Sequence, residues 1–247
     1  MSFHPFRHFR SASCLLALLG CLDSASAALT LSNSRIVHES DRNSSSVTVG
    51  NPSQRPYAAQ AWVNTETDDT TTSVPLIASP ALFRLDPGDE QSIQINRLPN
   101  DLPQDRESLF YFNLQEIPQV DSEHDHNSLN IALRTRIKLF YRPSQLQGSP
   151  AAYLSQLKWS VEKVDGKRQL VVDNPSPYHF TLGRLEVSGA GGTKQLNARE
   201  MVAPFGRQRY ELPPSAPSGK LSVTFTTLGD YGGSTPALTQ QLTSNAP

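Results

Sequence analysis

One stretch, Leu129 to Tyr141, constrains the fold more than any other part of the chain. Its odd-numbered positions are apolar apart from Thr135, while several even-numbered positions are basic. A period of two predicts a β-strand with one face packed on a core. At about 3.3 Å per residue the strand would span roughly 40 Å, about twice the usual length. We therefore expect a β-sheet protein with one unusually long strand.

The first apolar residues of this strand have two interpretations. Half of the strand is enough to complete a sandwich, which leaves Leu129, Ile131 and Leu133 beyond its centre. These residues either complete the core of their own domain or project as an apolar edge. An exposed apolar edge is an aggregation hazard that proteins normally avoid, so a chain that keeps one has a partner for it. The pattern alone leaves both interpretations open.

The first 27 residues have the composition of a secretory signal peptide. Arg7 and Arg10 precede the apolar run from Cys14 to Leu22, and Ala25-Ser26-Ala27 supplies small residues for cleavage. The alternative is lipidation at Cys21, because Leu18-Leu19-Gly20-Cys21 resembles a bacterial lipobox. We expect an exported mature chain that starts at residue 28.

The charge of the mature chain argues against binding to nucleic acid. Of 22 Lys and Arg and 23 Asp and Glu in the chain, residues 1–27 hold two and one, so 20 and 22 remain. A net charge near −2 does not suit a general polyanion binder. Both cysteines, Cys14 and Cys21, lie in the segment to be removed, so no disulfide is expected. No later apolar run approaches the roughly 18 residues of a membrane span, so no membrane insertion is expected.

Along the rest of the chain, short apolar runs, of which the first extends from Ala28 to Val37, alternate with turn signals such as Asn51-Pro52 and Asp86-Pro87-Gly88. Strands at this spacing predict antiparallel sandwiches of immunoglobulin type, and no long segment has a helical period. Residues 144–150 contain Pro and Gly among polar residues, as in a hinge. The fold class is thus all-β, with one immunoglobulin-like domain at 28–143, a hinge at 144–150 and a second domain at 151–247.

Enzyme chemistry has little support in the sequence. The chain contains no GxSxG, HExxH, GxGxxG or phosphate-binding loop. His124 and His126 lie two residues apart in an acidic segment, but this spacing alone does not supply a metal site, and a solvated loop is the simpler interpretation. We predict that the protein is not an enzyme and has no metal and no cofactor.

Four motifs resemble the periplasmic pilus chaperones of the chaperone-usher pathway, the PapD-like family. They are LPQDRESLFYFNLQEIP (Leu102 to Pro118), IALRTRIKLFYRP (Ile131 to Pro143), RLDPGD (Arg84 to Asp89) and GDYGG (Gly229 to Gly233). The similarity extends over essentially the whole mature chain. It implies two immunoglobulin-like domains in a boomerang arrangement, with a binding cleft between them.

The resemblance also implies a mechanism. Members bind pilus subunits, both pilins and the tip adhesin, in the periplasm and deliver them to an outer-membrane usher without ATP. The chaperone lends a strand that fills the open groove of the subunit, here with Leu129, Ile131 and Leu133. By motif position, Arg35 and Lys138 anchor the C-terminal carboxylate of the subunit.

Other positions matched by the resemblance have structural roles. Glu107, Arg142 and Asp230 correspond to a charge cluster that joins the two domains. Ser79-Pro80 corresponds to a tight turn whose proline is often cis, and the sequence does not decide the isomer. The loop Pro118 to Ser128 resembles the short-loop subclass that serves rod-like pili. An unloaded chaperone with an exposed edge could also cap itself as a homodimer.

Two other functions remain as alternatives. An exported pilus subunit or adhesin of immunoglobulin type would lack its last strand and carry a donor extension, whereas Leu129 to Tyr141 completes the first sandwich. A secreted hydrolase without a recognisable motif is the other alternative.

Overall fold

The computed structural model describes residues 29–69, 71–117, 132–198 and 200–244. These residues form two β-sandwiches, which confirms the predicted all-β fold with two domains. The first sandwich contains β1 (Thr30–Leu31), β2 (Arg35–Glu39), β3 (Ser44–Gly50), β4 (Tyr57–Asn64), β5 (Leu76–Ser79), β6 (Leu82–Leu85), β7 (Glu90–Arg97), β8 (Ser108–Ile117) and β9 (Arg134–Arg142). The second contains β10 (Lys158–Val164), β11 (Lys167–Asp173), β12 (Leu182–Ala190), β13 (Gly192–Gln195), β14 (Arg207–Glu211), β15 (Ser218–Thr227), β16 (Leu238–Gln241) and β17 (Thr243–Ser244).

The first sandwich packs a four-stranded sheet, in the order β1-β3-β7-β5, against a five-stranded sheet, in the order β2-β9-β8-β4-β6. Alternate residues of both sheets point inward, as the period of two requires. Val49, Ile93, Phe112 and Leu139 are fully buried in the resulting core. Because β9 lies between β2 and β8, the strand predicted at Leu129 to Tyr141 corresponds to a central element of this sheet.

The predicted run from Ala28 to Val37 is not one strand. β1 pairs with β3 in one sheet, and β2 pairs with β9 in the other. Between them, the hydroxyl of Ser32 accepts a hydrogen bond of 3.1 Å from the backbone N–H of Thr48. A side chain that takes a ladder position competes with regular pairing, which lets the chain cross from one sheet to the other.

The second sandwich packs the sheets β14-β11-β10-β17 and β13-β12-β15-β16 around a core that includes Trp159, Leu170, Val223 and Phe225. A short 3₁₀ helix, Pro150–Gln156, precedes it and was not predicted. Its first residue is a proline, which suits the first turn of a helix, and it buries Leu154 in the second core. The peptide bond between Ser79 and Pro80, undecided from the sequence, is cis.

The strand that the structure describes is shorter than the predicted one. β9 starts at Arg134, and Leu133 precedes it, although the carbonyl of Leu133 still accepts a hydrogen bond of 2.9 Å from the N–H of Glu116. Several predictions lie outside the described residues: the signal peptide with Cys21, the loop Pro118 to Ser128 with His124 and His126, and Leu129 and Ile131. Within the described ranges no helix is long and apolar enough to cross a membrane, and no His, Cys, Asp and Glu side chains cluster as metal ligands.

Candidate functional site

Two basic residues predicted from the sequence lie side by side where the two domains meet. β2 pairs with β9 in parallel, and Arg35 is the register partner of Lys138. Register partners point to the same side of a sheet, so both side chains leave the same face. Arg35 lines one groove and Lys138 lines another, and residues of both domains form each groove. The structure therefore brings together two cations that are far apart in the sequence.

Both side chains contact the second domain through neutral groups. The Arg35 guanidinium donates a hydrogen bond of 3.0 Å from Nη1 to the carbonyl of Leu228. The Lys138 ammonium donates one of 3.2 Å to the hydroxyl of Thr181. Arg35 is 7% exposed, and its Nε is buried without a hydrogen-bond partner among the described residues. The two side chains are thus held in place, and Nε of Arg35 can still donate a hydrogen bond.

The pair has no counter-ion in the part of the chain that is described. No carboxylate there lies within 4.0 Å of either side chain. Burial lowers the pKa of Arg35, and the more distant Asp230 opposes this shift. Burial and the charge of Arg35 lower the pKa of Lys138. Two desolvated like charges without an anion destabilise each other, so the arrangement suits a bound carboxylate.

The edge of β9 next to this pair is open as far as the described residues extend. β2 accompanies β9 only from Lys138 to Arg142. The residues before Lys138, from Arg134 to Ile137, pair with β8 on the other side, and no described strand pairs with them on the β2 side. An added strand on this edge would lie in line with β2 and stop at Arg35. The open edge and the two cations therefore belong to one continuous site.

The apolar side chains of β9 become more exposed towards this open end. Tyr141 and Leu139 are buried in the first core, and Ile137 packs at its border. Leu133 is 49% exposed. Of the three residues predicted to form the projecting row, Leu133 alone falls within the described residues, and it presents an apolar side chain to solvent.

The structure also brings together the predicted charge cluster. Arg142 donates from Nε to Glu107 at 2.8 Å, and from Nη1 and Nη2 to the two oxygens of Asp230 at 2.7 and 2.9 Å. Glu39 lies 3.6 Å from the same guanidinium. Burial would lower the pKa of Arg142, but the hydrogen bonds and charges of Asp230 and Glu107 raise it above its ordinary value. Arg142 is thus a charged link between residues of both domains.

Three partners in this region were not predicted as site residues. The second oxygen of Glu107 accepts a hydrogen bond of 2.8 Å from the backbone N–H of His179, whose ring Nδ1 lies 3.2 Å away. Thr181 and the carbonyl of Leu228 hold the basic pair. A hydroxyl and a backbone carbonyl carry no distinctive local signal, so only the docking of the domains reveals them.

Comparison with known proteins identifies relatives of both domains. Residues 28–147 match the sequence model of "Pili and flagellar-assembly chaperone, PapD N-terminal domain", and residues 152–239 match "Pili assembly chaperone PapD, C-terminal domain". The probable fimbrial chaperone YadV of Escherichia coli K12 is 34% identical over 233 residues, which cover 90% of this chain and 94% of the relative.

Solved structures give the same result. The crystal structure of the YadV chaperone is similar with a TM-score of 0.76 and 30% identity, over 87% of this chain and all of that chain. The SafB chaperone in the complex "Salmonella enterica SafA pilin in complex with the SafB chaperone" is matched with a TM-score of 0.74 and 25% identity, over 87% and 96% of the two chains. The chain belongs to the PapD-like family of pilus assembly chaperones.

Proposed function

We propose that the open edge of β9 binds the C-terminal segment of a pilus subunit as an added parallel strand, with its carboxylate held between Arg35 and Lys138. The observation that carries this proposal is the pair of cations, which has no counter-ion among the described residues and lies where β2 ends the open edge. A charged hydrogen bond to a carboxylate contributes about 1.5 to 3 kcal/mol. Two such donors suit one terminal carboxylate.

The chemistry of the edge defines the guest. An added strand obtains affinity from backbone hydrogen bonds, and specificity from alternate side chains. Leu133, with Leu129 and Ile131 further along, would supply apolar side chains, each contributing about 1.5 to 3 kcal/mol when removed from water. A guest whose own sandwich lacks a strand has a matching groove. The complex of the SafB relative with SafA pilin supports pilins as these guests, and the family resemblance extends the proposal to the tip adhesin.

The anchor has a second use beyond affinity. A slip of one residue along a strand turns every side chain to the opposite face. A carboxylate fixed at Arg35 and Lys138 would set the register, so that the apolar side chains of guest and chaperone face the same groove. The cluster of Glu107, Arg142 and Asp230 would keep the two domains at the angle that this alignment requires.

Further parts of the proposal follow from the family and the predicted signal peptide. The mature protein acts in the periplasm, passes its guest to an outer-membrane usher and needs no ATP or other cofactor. The domains are residues 28–143 and 151–247, joined by 144–150. Without a guest, two copies pair along their open edges as a homodimer, which light scattering of the purified protein would detect as twice the monomer mass.

Capture of subunits from a periplasmic extract tests the proposal. Wild-type protein should retain pilus subunits that mass spectrometry identifies, and Arg35→Met should lose them while remaining folded. Arg84→Met is the matched control, because Arg84 forms an exposed ion pair with Asp86 on the same domain. Equal capture by wild type and Arg35→Met would refute the anchor. Capture of no pilus subunit by the wild type would refute the proposed guest.

A further inference from the structure

A closed ring of polar side chains lies on the outer face of the five-stranded sheet, at the start of β9. Arg134 donates to both oxygens of Asp68, from Nη1 at 3.0 Å and from Nη2 at shorter range, and from Nε to Asn113 at 3.1 Å. Asn113 donates to Asn64 at 2.9 Å, and Asn64 donates to Asp68 at 2.6 Å. We call these four residues the Arg134 clamp.

The clamp is part of the packed structure of the domain and not an incidental surface contact. Asn113 is fully buried and Asn64 is 3% exposed, and the side-chain amide of each donates a hydrogen bond within the ring. The Arg134 guanidinium also stacks on Trp62, with 4.9 Å between its central carbon and the ring centroid. Asp68 adopts a φ of 60°, which an aspartate tolerates better than most residues. The ring ties β4, β8, β9 and the loop after β4 together.

The clamp acts at the residue that follows Leu133. Successive residues of a strand point to opposite faces. Holding Arg134 on the outer face therefore directs Leu133 to the opposite, apolar side. The next outward residue is also held by the loop, since Arg136 donates to the carbonyl of Thr65 at 2.7 Å and stacks 3.7 Å from the ring centroid of Tyr111. Arg134 and Arg136 are thus committed to contacts inside the molecule.

We infer that the Arg134 clamp is a positioning device, which orders the Leu133 end of β9 before a guest arrives and thereby raises the affinity for the added strand. This inference rests on the proposed function, because it concerns the same open edge. Fixing the backbone of one residue on binding lowers an association constant by about five- to thirtyfold. A strand end that is already fixed in the free chaperone avoids this loss.

The structure supplies a direct reporter for the order of this end. The N–H of Glu116 donates to the carbonyl of Leu133, so its hydrogen exchange follows the pairing of that residue. The test compares wild type with Asp68→Asn and Arg134→Gln. Asp86→Asn is the matched control, because Asp86 accepts two hydrogen bonds from Arg84, at 2.9 and 2.8 Å, away from β9. Binding is measured with a synthetic peptide of about ten residues in which valine and threonine alternate, ending in a free carboxylate.

We expect both clamp variants to exchange the Glu116 amide about tenfold faster while the amides of Ile93 and Val47 keep their protection. The Kd for the peptide should rise about tenfold, and the control should match wild type in both measurements. Unchanged exchange at Glu116, an equal acceleration at Ile93 and Val47, or fast exchange with unchanged Kd would overturn the inference. Failure of the wild type to bind the peptide would count against the proposed function instead, and the exchange data would then still decide whether the clamp orders β9.

Discussion

Replacing Lys138 by Met separates the binding role of the basic pair from its contribution to folding. Methionine keeps most of the length and apolar volume of the lysine stem but removes the charge. In the free protein this charge lies beside Arg35, and its pKa is lowered by burial and by that neighbour. The substitution therefore relieves an unfavourable interaction and removes the hydrogen bond to Thr181.

The expected magnitudes differ sharply between folding and binding. Loss of the hydrogen bond to Thr181 costs about 1 kcal/mol, and relief of the desolvated charge opposes this loss. The free energy of unfolding should thus stay within about 1 kcal/mol of wild type. In the complex, a charged hydrogen bond of about 1.5 to 3 kcal/mol to the carboxylate disappears. The Kd should accordingly rise about 10- to 150-fold.

Urea unfolding and isothermal titration with the valine–threonine peptide measure the two quantities. Lys158→Met is the matched control, because Lys158 is an exposed strand residue of the second domain. The peptide with an amidated C-terminus should bind wild type and Lys138→Met equally weakly. A loss of more than about 2 kcal/mol in stability together with an unchanged Kd would show that Lys138 serves the fold and not the guest.

Three other predictions concern stability and the apolar edge. Arg142→Leu leaves Glu107 buried without its cation and should reduce the free energy of unfolding by about 3 to 5 kcal/mol. Asp230→Asn changes a more exposed carboxylate and should reduce it by about 1 kcal/mol. Equal urea midpoints for the two variants would contradict this prediction. Leu133→Asp should keep the circular dichroism and melting temperature of wild type but weaken peptide binding at least about tenfold, as expected for an apolar side chain that is buried by the guest; an unfolded variant would place this residue in the core. Burial lowers the pKa of His38, so the unfolded chain takes up a proton first and stability should fall as the pH drops below about 6.5; His38→Phe should flatten this fall, and a parallel pH profile would refute it.

Much of the fold was predictable because its strands follow a local rule. The alternation in β3, β4, β7 and β8 reflects the burial of one face, so the runs around Val49, Ile93 and Phe112 can be recognised as strands from the sequence. The prediction of one strand from Ala28 to Val37 was wrong because the crossing between the two sheets depends on a hydrogen bond between Ser32 and Thr48. This bond is a contact of tertiary structure. The 3₁₀ helix at Pro150 was too short to show a period.

The site was only partly predictable, for the same reason. Motif resemblance named Arg35, Lys138 and the charge cluster, but their adjacency follows from the parallel pairing of β2 with β9, which has no local signal. The basic residues of the opening stretch were read as one polar face. The structure divides them: Lys138 has no counter-ion among the described residues, whereas Arg134 forms an ion pair with Asp68, which lies in the loop after β4. Such long-range pairings between loops and strands cannot be read from spacing along the chain.

A crystal structure of the chain with a bound subunit tests the central claim most directly. The guest strand should run parallel to β9 along the edge from Arg134 to Ile137, with its terminal carboxylate within hydrogen-bond distance of both Arg35 and Lys138. A guest on another edge of either sandwich, or a carboxylate held away from these two side chains, would contradict the account.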